Sequence, residues 1–326
     1  MREVLQLVAA MGLVFATAFV DVTAQTSSKV FRVGVLVRGD VDNRFVDALI
    51  QGLAKHNYAL GRNLALEPRA AQYHVERFPQ LVDELVASKV DVIVTIGYPA
   101  ARAAKQRAAT VPVVVFGTGD PINSGLVDSF ARPGGNLTGV SDVAAELAPK
   151  RLQLLKEVRP KLRRVAMIWN TGDLGMTLRY EASAAAARLL GIVVQPLGVR
   201  EPEDFETAIA AMKRDPPDAI FIVADWLTNL NRKRVIEFAA THRLPSMHEA
   251  EPNVIDGGLM SYSADLNEVF DRTASLIDRI LKGARPAELP FEQPTRFRLV
   301  INLRTAKALG IKIPNSILVQ ATKVIE

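Results

Sequence analysis

The feature that most constrains this chain is an alternation that runs twice. Short, near-continuous Val/Ile-rich segments take turns with longer amphipathic ones. Residues 31–37 form the first apolar segment, and helical periodicity follows over 44–58, with Phe45, Leu49 and Leu53 at four-residue steps. Residues 64–70 read as a strand, and 75–88 as a helix with Phe78, Leu81, Val82 and Leu85 on one face. Strands at 91–97 and 111–117 enclose a helix at 99–108. The pattern then repeats: helix 150–158, strand 164–170, helix 174–190 ending at Gly191, strand 192–199, helix 203–212, strand 219–225, helix 230–242, and a short strand around Ser246. Strands without polar alternation are buried on both faces, which requires a parallel sheet covered by helices. Two such runs predict an α/β fold of two doubly wound parallel-sheet lobes, separated at the Pro/Gly-rich stretch 131–136 and the strand after it. The remaining pieces, 257–263, the helix 265–281 and the strand 298–303, are too few for a third core. They are expected to cross back, giving a multi-strand hinge. The expected division is lobe I from 30–141 plus 259–292 and lobe II from 142–258 plus 293–326.

In open α/β sheets, ligands bind beyond the carboxyl ends of the strands. Those ends carry Arg38 and Asp40, Tyr98, Thr118 and Asp120, Asn170 and Thr171, Asp225 and Trp226, and His248 with Glu249. Carboxylates to receive an ammonium, an arginine or helix N-termini for a carboxylate, and rings for an apolar body suit a small polar or zwitterionic ligand. Each has a plainer use. Asp120, before Pro121, and Asp225 are also good helix caps; Arg38 sits in a loop that solvent alone explains, and His248 serves equally as a structural residue. Trp226 lies outside a strand and is expected in the cleft, Trp169 inside one and in the core.

Other chemistries lack their residues. The absence of cysteine removes disulfides, thiolate metal sites and cysteine nucleophiles. The four histidines, His56, His74, His242 and His248, include no i, i+4 pair around a glutamate. Neither a nucleophile elbow nor a phosphate loop is present, and Gly117-Thr-Gly119 lacks the third glycine of a dinucleotide fingerprint. No enzyme activity, cofactor or metal is therefore expected. The net charge of +5 is spread along the chain. Its clusters at Lys161, Arg163 and Arg164 and at 232–234 have no interleaved aromatics, so nucleic acid is not an expected partner.

At the N-terminus, a charged start, an apolar run from Val4 to Val20 and small residues to Ala24 read as a cleavable secretory signal over 1–24. The alternative is a membrane anchor, since the run approaches ~17 residues, the lower limit for a bilayer span. With no cysteine after the cut there is no lipid anchor, and a freely soluble periplasmic monomer is expected.

The stretches 112–115 and 120–139, the block 150–157, and residues 257–262, 280–283, 292–295 and 300–310 resemble the substrate-binding proteins of ABC transporters, a family that includes tryptophan- and tyrosine-associated receptors. The resemblance runs in order along the chain after the signal. Ser263-Ala264 stands where the family often has a glycine, and 321–323 replace its usual acidic ending. The resemblance implies a periplasmic-binding-protein fold (type I) with three crossovers, whose lobes close over a ligand, and a membrane permease with its ATPase as partners. It leaves the ligand open, with aromatic amino acids or aromatic acids preferred from Tyr98 and Trp226. A ligand-sensing receptor coupled to a signalling protein and an exported α/β enzyme are the competing readings.

Overall fold

The computed structural model describes residues 29–40 and 43–326; the expected signal at 1–24 lies outside the described residues. The first sheet contains β1 (Phe31–Val37), β2 (Leu64–Ala70), β3 (Val92–Ile96), β4 (Val113–Thr118) and β5 (Leu137–Ser141), in the order β2-β1-β3-β4-β5. All its pairs are parallel. Alternate residues of one strand feed two cores. Val33, Val35, Val92, Val94 and Val114 pack against Phe45, Leu49 and Leu53 of the helix Asn43–Ala54 and against the helix Leu266–Leu281. Leu36, Ile93, Val113 and Val115 point the other way, onto the helices Phe78–Ala87 and Gly97–Arg107. Burial on both faces is why these strands carry no polar alternation.

The second sheet holds β6 (Arg164–Asn170), β7 (Val193–Val199), β8 (Ala219–Ile222), β9 (Ser246–His248), β10 (Met260–Ala264), β11 (Phe297–Asn302) and β12 (Lys323–Ile325). Its order is β12-β11-β10-β9-β8-β6-β7. Val165, Met167, Ala219 and Phe221 face the core under the helices Ala148–Val158 and Leu174–Leu189. Ala166, Ile168, Ile220 and Ile222 face the core under Asp204–Arg214 and Arg232–Thr241. The β10–β11 pair is antiparallel, because β11 is the return from the final crossing.

The lobe boundary differs from the one expected. β10 pairs with β9 and β11 in the second sheet, so residues 259–264 belong to the second lobe. The crossing falls at Asp265, and the helix Leu266–Leu281 then packs on the first sheet. With the segment between β5 and the helix Ala148–Val158, and the return into β11, the chain passes between lobes three times. The crossings are tied together. Glu268 accepts hydrogen bonds from the amides of Thr295 and Arg296 and pairs with Arg272, which also reaches Glu292. Glu292 in turn exchanges backbone hydrogen bonds with Gly139 and Ser141 at β5.

Among the described residues no helix is long and apolar enough to cross a membrane, and no cluster of side chains could hold a metal ion.

Candidate functional site

The carboxyl ends of the two sheets face one another across a cleft whose larger cavity has a volume of 570 Å³. The lobes touch around it. Arg38 after β1 donates to Asp173 of the second lobe at 2.9 Å, with only 13% and 4% of the two side chains exposed. Tyr73 of the first lobe lies against Trp226 of the second, ring centroids 5.3 Å apart, and the Arg38 guanidinium sits 5.6 Å from the Trp226 ring. Gly175, near the start of the helix Leu174–Leu189, approaches Tyr98 so closely that a Cβ there would stand 3.1 Å from the Tyr98 Cβ. These contacts are those of a closed clamp.

Asp142, Arg179 and Ala224 divide the cleft and line both this cavity and a second one of 480 Å³ nearer the crossings. Arg179, 5% exposed, donates to Asp142 at 2.5 Å and to Glu249 at 3.3 Å. Glu249 also accepts from buried Arg151 at 2.7 Å and from the Ala224 amide at 3.1 Å. Burial works against the charge on Arg179, but Asp142 and Glu249 outweigh it and hold its pKa above the ordinary value. Gly119 is required at the end of the β4 loop, since a Cβ there would meet Arg179 Nε at 2.6 Å.

Five of the ten residues expected at the site line the larger cavity: Arg38, Asp40, Tyr98, Asp225 and Trp226. Glu249 lines the second. The other four line neither, and each has a local task. The carbonyl of Thr118 accepts from Ser141 Oγ at 2.9 Å. Asp120 closes its own turn by accepting from the Asn123 amide at 3.0 Å. Thr171 is turned toward β7, bonded to the Val199 carbonyl and to Arg200. Asn170 acts through another residue: its Nδ2 donates to Asp225 Oδ2 at 2.6 Å, while its Oδ1 accepts from the Gly172 amide. Asp225 caps the helix Trp226–Leu230 in a capping box with Thr228, and burial raises its pKa despite those hydrogen bonds. Its position is thus fixed from two sides.

His248 lines neither cavity; burial lowers its pKa to about 4, and its Nε2 lies 3.0 Å from Ser246 Oγ. Trp169 is in the core, stacked on Tyr180 at 3.7 Å. The strand-end reading misses Tyr73, Asp173, Met176, Arg179 and Asn229, which lie farther from the strand ends, and also Asp142, which directly follows β5. Asp173 has a visible signal, because it is the N-cap of the helix Leu174–Leu189 and accepts from the Gly175 amide. Three polar atoms of the larger cavity's side chains, Arg179 Nε, Trp226 Nε1 and Asn229 Oδ1, are buried without a hydrogen-bond partner among the described residues. Such atoms are costly unless something pairs with them.

Two α/β lobes, three crossings and a charged, ring-lined cavity at facing strand ends define a two-lobed ligand-binding clamp of the type I periplasmic-binding-protein fold. The family model for ABC transporter substrate binding proteins matches residues 31–325, and the chain belongs to that family. It is 25% identical to a tyrosine-binding protein of Clostridioides difficile (strain R20291) over 263 residues, 81% of this chain and 75% of the relative. It is also similar to the crystal structure of an ABC domain in complex with L-Trp from Streptococcus pneumoniae. That match has a TM-score of 0.83 and 26% identity, covering 91% of this chain and all of the other. A conserved domain protein of Vibrio cholerae O1 biovar El Tor matches with a TM-score of 0.84 at 27% identity, with the same coverage.

Proposed function

We propose that this chain is an extracytoplasmic solute-binding protein that captures an aromatic amino acid, or a related aromatic acid, in the larger cavity and delivers it to an ABC importer. The observation that carries the reading is the wall built across the lobes by Tyr73, Trp226 and Arg38, with Trp226 Nε1 and Asn229 Oδ1 unpaired beside it. Rings and a cation offer a face to an aromatic body, while Asp225 and Asp142 offer carboxylates to an ammonium. The tyrosine-binding relative and the neighbour solved with L-Trp support the same class.

The mechanism is a closing equilibrium. Arg38, Tyr73 and Tyr98 come from one lobe, Asp173, Asp225 and Trp226 from the other, so a ligand touching both sets gains its full contacts only in the closed state. Its binding shifts the population toward closure in proportion to that difference in affinity. The closed surface is then what the permease and its ATPase receive. The family membership supports this partner, and the signal-like N-terminus supports a periplasmic setting. Binding and release without turnover is the reading that the family membership supports.

A thermal-shift panel of the common amino acids and aromatic acids tests the class. A ligand at 100 times its Kd stabilises by about 2.7 kcal/mol, and aromatic members are expected to raise Tm most. A panel in which only non-aromatic solutes shift Tm refutes the aromatic reading.

A further inference from the structure

The cleft is larger than its aromatic wall requires. Pockets of ~300 Å³ already serve small ligands, and the second cavity adds 480 Å³ beyond the Asp142–Arg179 divide. Its chemistry differs from that of its neighbour. Short apolar side chains, Ala144, Ala224, Ala250 and Ala264, form much of its lining, and no aromatic ring reaches it. At its mouth two large aliphatic side chains stand in solvent, Ile255 from the second lobe at 54% exposure and Leu266 from the first at 55%. Aliphatic side chains from both lobes, left exposed around one small-residue cavity, suit an aliphatic group held between them.

The divide has its own selectivity. Arg151, Arg179, Asp142 and Glu249 form one buried chain of ion pairs in which the charges balance. A balanced chain presents donors and acceptors without a net field, which suits a neutral polar group such as an amide at that point. Beyond it, Arg298 lines the second cavity and pairs there with Glu251 at 3.2 Å, while its Nε is buried and unpartnered among the described residues. The two cavities carry the same balance of charge, four carboxylates and three arginines in each lining, so charge alone does not orient the ligand's ends.

We propose that the second cavity is a binding compartment for an aliphatic group, and that the full ligand is dipeptide-like: an aromatic residue in the larger cavity, an amide at the Asp142–Arg179 divide, and an aliphatic residue in the second cavity. This rests on the larger cavity being the seat of an aromatic amino acid.

Isothermal titration of the chain with L-tyrosine, L-tyrosyl-L-leucine and L-leucyl-L-tyrosine tests it, using the wild type and Ala250→Leu, which fills the second cavity. One of the two dipeptides is expected to bind at least tenfold more tightly than tyrosine, and Ala250→Leu to collapse that ratio. Tyrosine binding as tightly as both dipeptides overturns the compartment and leaves the aromatic amino-acid reading intact. A dipeptide advantage that survives Ala250→Leu overturns its location. If none of the three binds, the reading of the larger cavity fails and this proposal with it. A ratio read within each variant is insensitive to a general loss of folded protein, and thermal melts of both variants provide the check on folding.

Discussion

Gly175 is the position where one methyl group should separate closing from folding. A Cβ at 175 would stand 3.1 Å from the Tyr98 Cβ across the cleft, whereas carbon atoms pack comfortably at about 3.5–4.0 Å. In Gly175→Ala the lobes must stay a few tenths of an ångström apart or accept overpacking, which costs about 1–3 kcal/mol in well-packed sites. The larger cost falls on the closed state, because opening removes Tyr98 from the methyl; within the lobe the methyl also meets Asp173 Oδ1 at 3.3 Å, a small strain that the gain in helix propensity offsets. Only closure is linked to ligand, so Kd should rise between about 5-fold and 150-fold. The lobe itself should not suffer. Gly175 lies in the first turn of the helix Leu174–Leu189, and alanine is the better helix former by up to about 1 kcal/mol. The assay pairs titration against L-tryptophan or L-tyrosine with a thermal melt of the unliganded chain. A raised Kd with an undiminished Tm is the expected outcome. An unchanged Kd would mean that the liganded lobes do not close on this contact.

Three further perturbations probe the same architecture. Asp173→Asn keeps a helix cap but removes the charge facing Arg38; losing this interlobe pair should cost about 2 kcal/mol or more of binding, roughly 30-fold in Kd by titration. Glu249→Ala leaves Arg151 and Arg179 buried without their shared carboxylate, so a loss of about 3–5 kcal/mol and a fall in Tm on the order of 10 °C are expected; a Tm within 2 °C or so of wild type would show that Glu249 is not structural. At the hinge, burial opposes ionisation of Glu268, but hydrogen bonds from Arg272, Thr295 and Arg296 prevail and lower its pKa from 4.5 to about 2. Because the folded value lies below the unfolded one, this stabilisation is complete above pH 4.5 and disappears as pH falls toward 2, an amount of about 3 kcal/mol. Glu268→Gln should flatten that part of the acid-denaturation curve, and an identical curve would remove Glu268 from the account.

Much of the fold was legible because burial on both faces leaves an unmistakable pattern. β1 and β6 coincide with apolar runs, β2 has its expected bounds but is a half-buried edge strand carrying Glu67 and Arg69, and the other strands differ by a few residues at the ends. The lobe boundary was not legible in the same way. Nothing in the Met-Ser-Tyr-Ser-Ala sequence of β10 marks it for one sheet or the other, and only its pairing with β9 and β11 assigns it to the second. At the site, strand ends pointed to Arg38, Asp225 and Trp226, since a topological rule places such residues at the cleft. The rule has two weaknesses. It cannot separate a side chain that faces the cleft from one spent on its own loop, as at Asp120 and Thr171. It is also blind to residues away from strand ends. Arg179 sits inside an amphipathic helix, where an arginine reads as solvent-facing, yet it is buried between Asp142 and Glu249. Tyr73 depends on a left-handed backbone, φ 68°, unusual for a bulky residue and invisible in the sequence.

Titration of the wild-type chain and of Trp226→Ala with L-tryptophan and L-tyrosine tests the central claim most directly. The account predicts one site per chain for at least one of the two ligands, a smaller radius of gyration in its presence, and loss of both responses in Trp226→Ala. Binding to neither ligand by the wild type, or binding and compaction that survive the loss of Trp226, would contradict it.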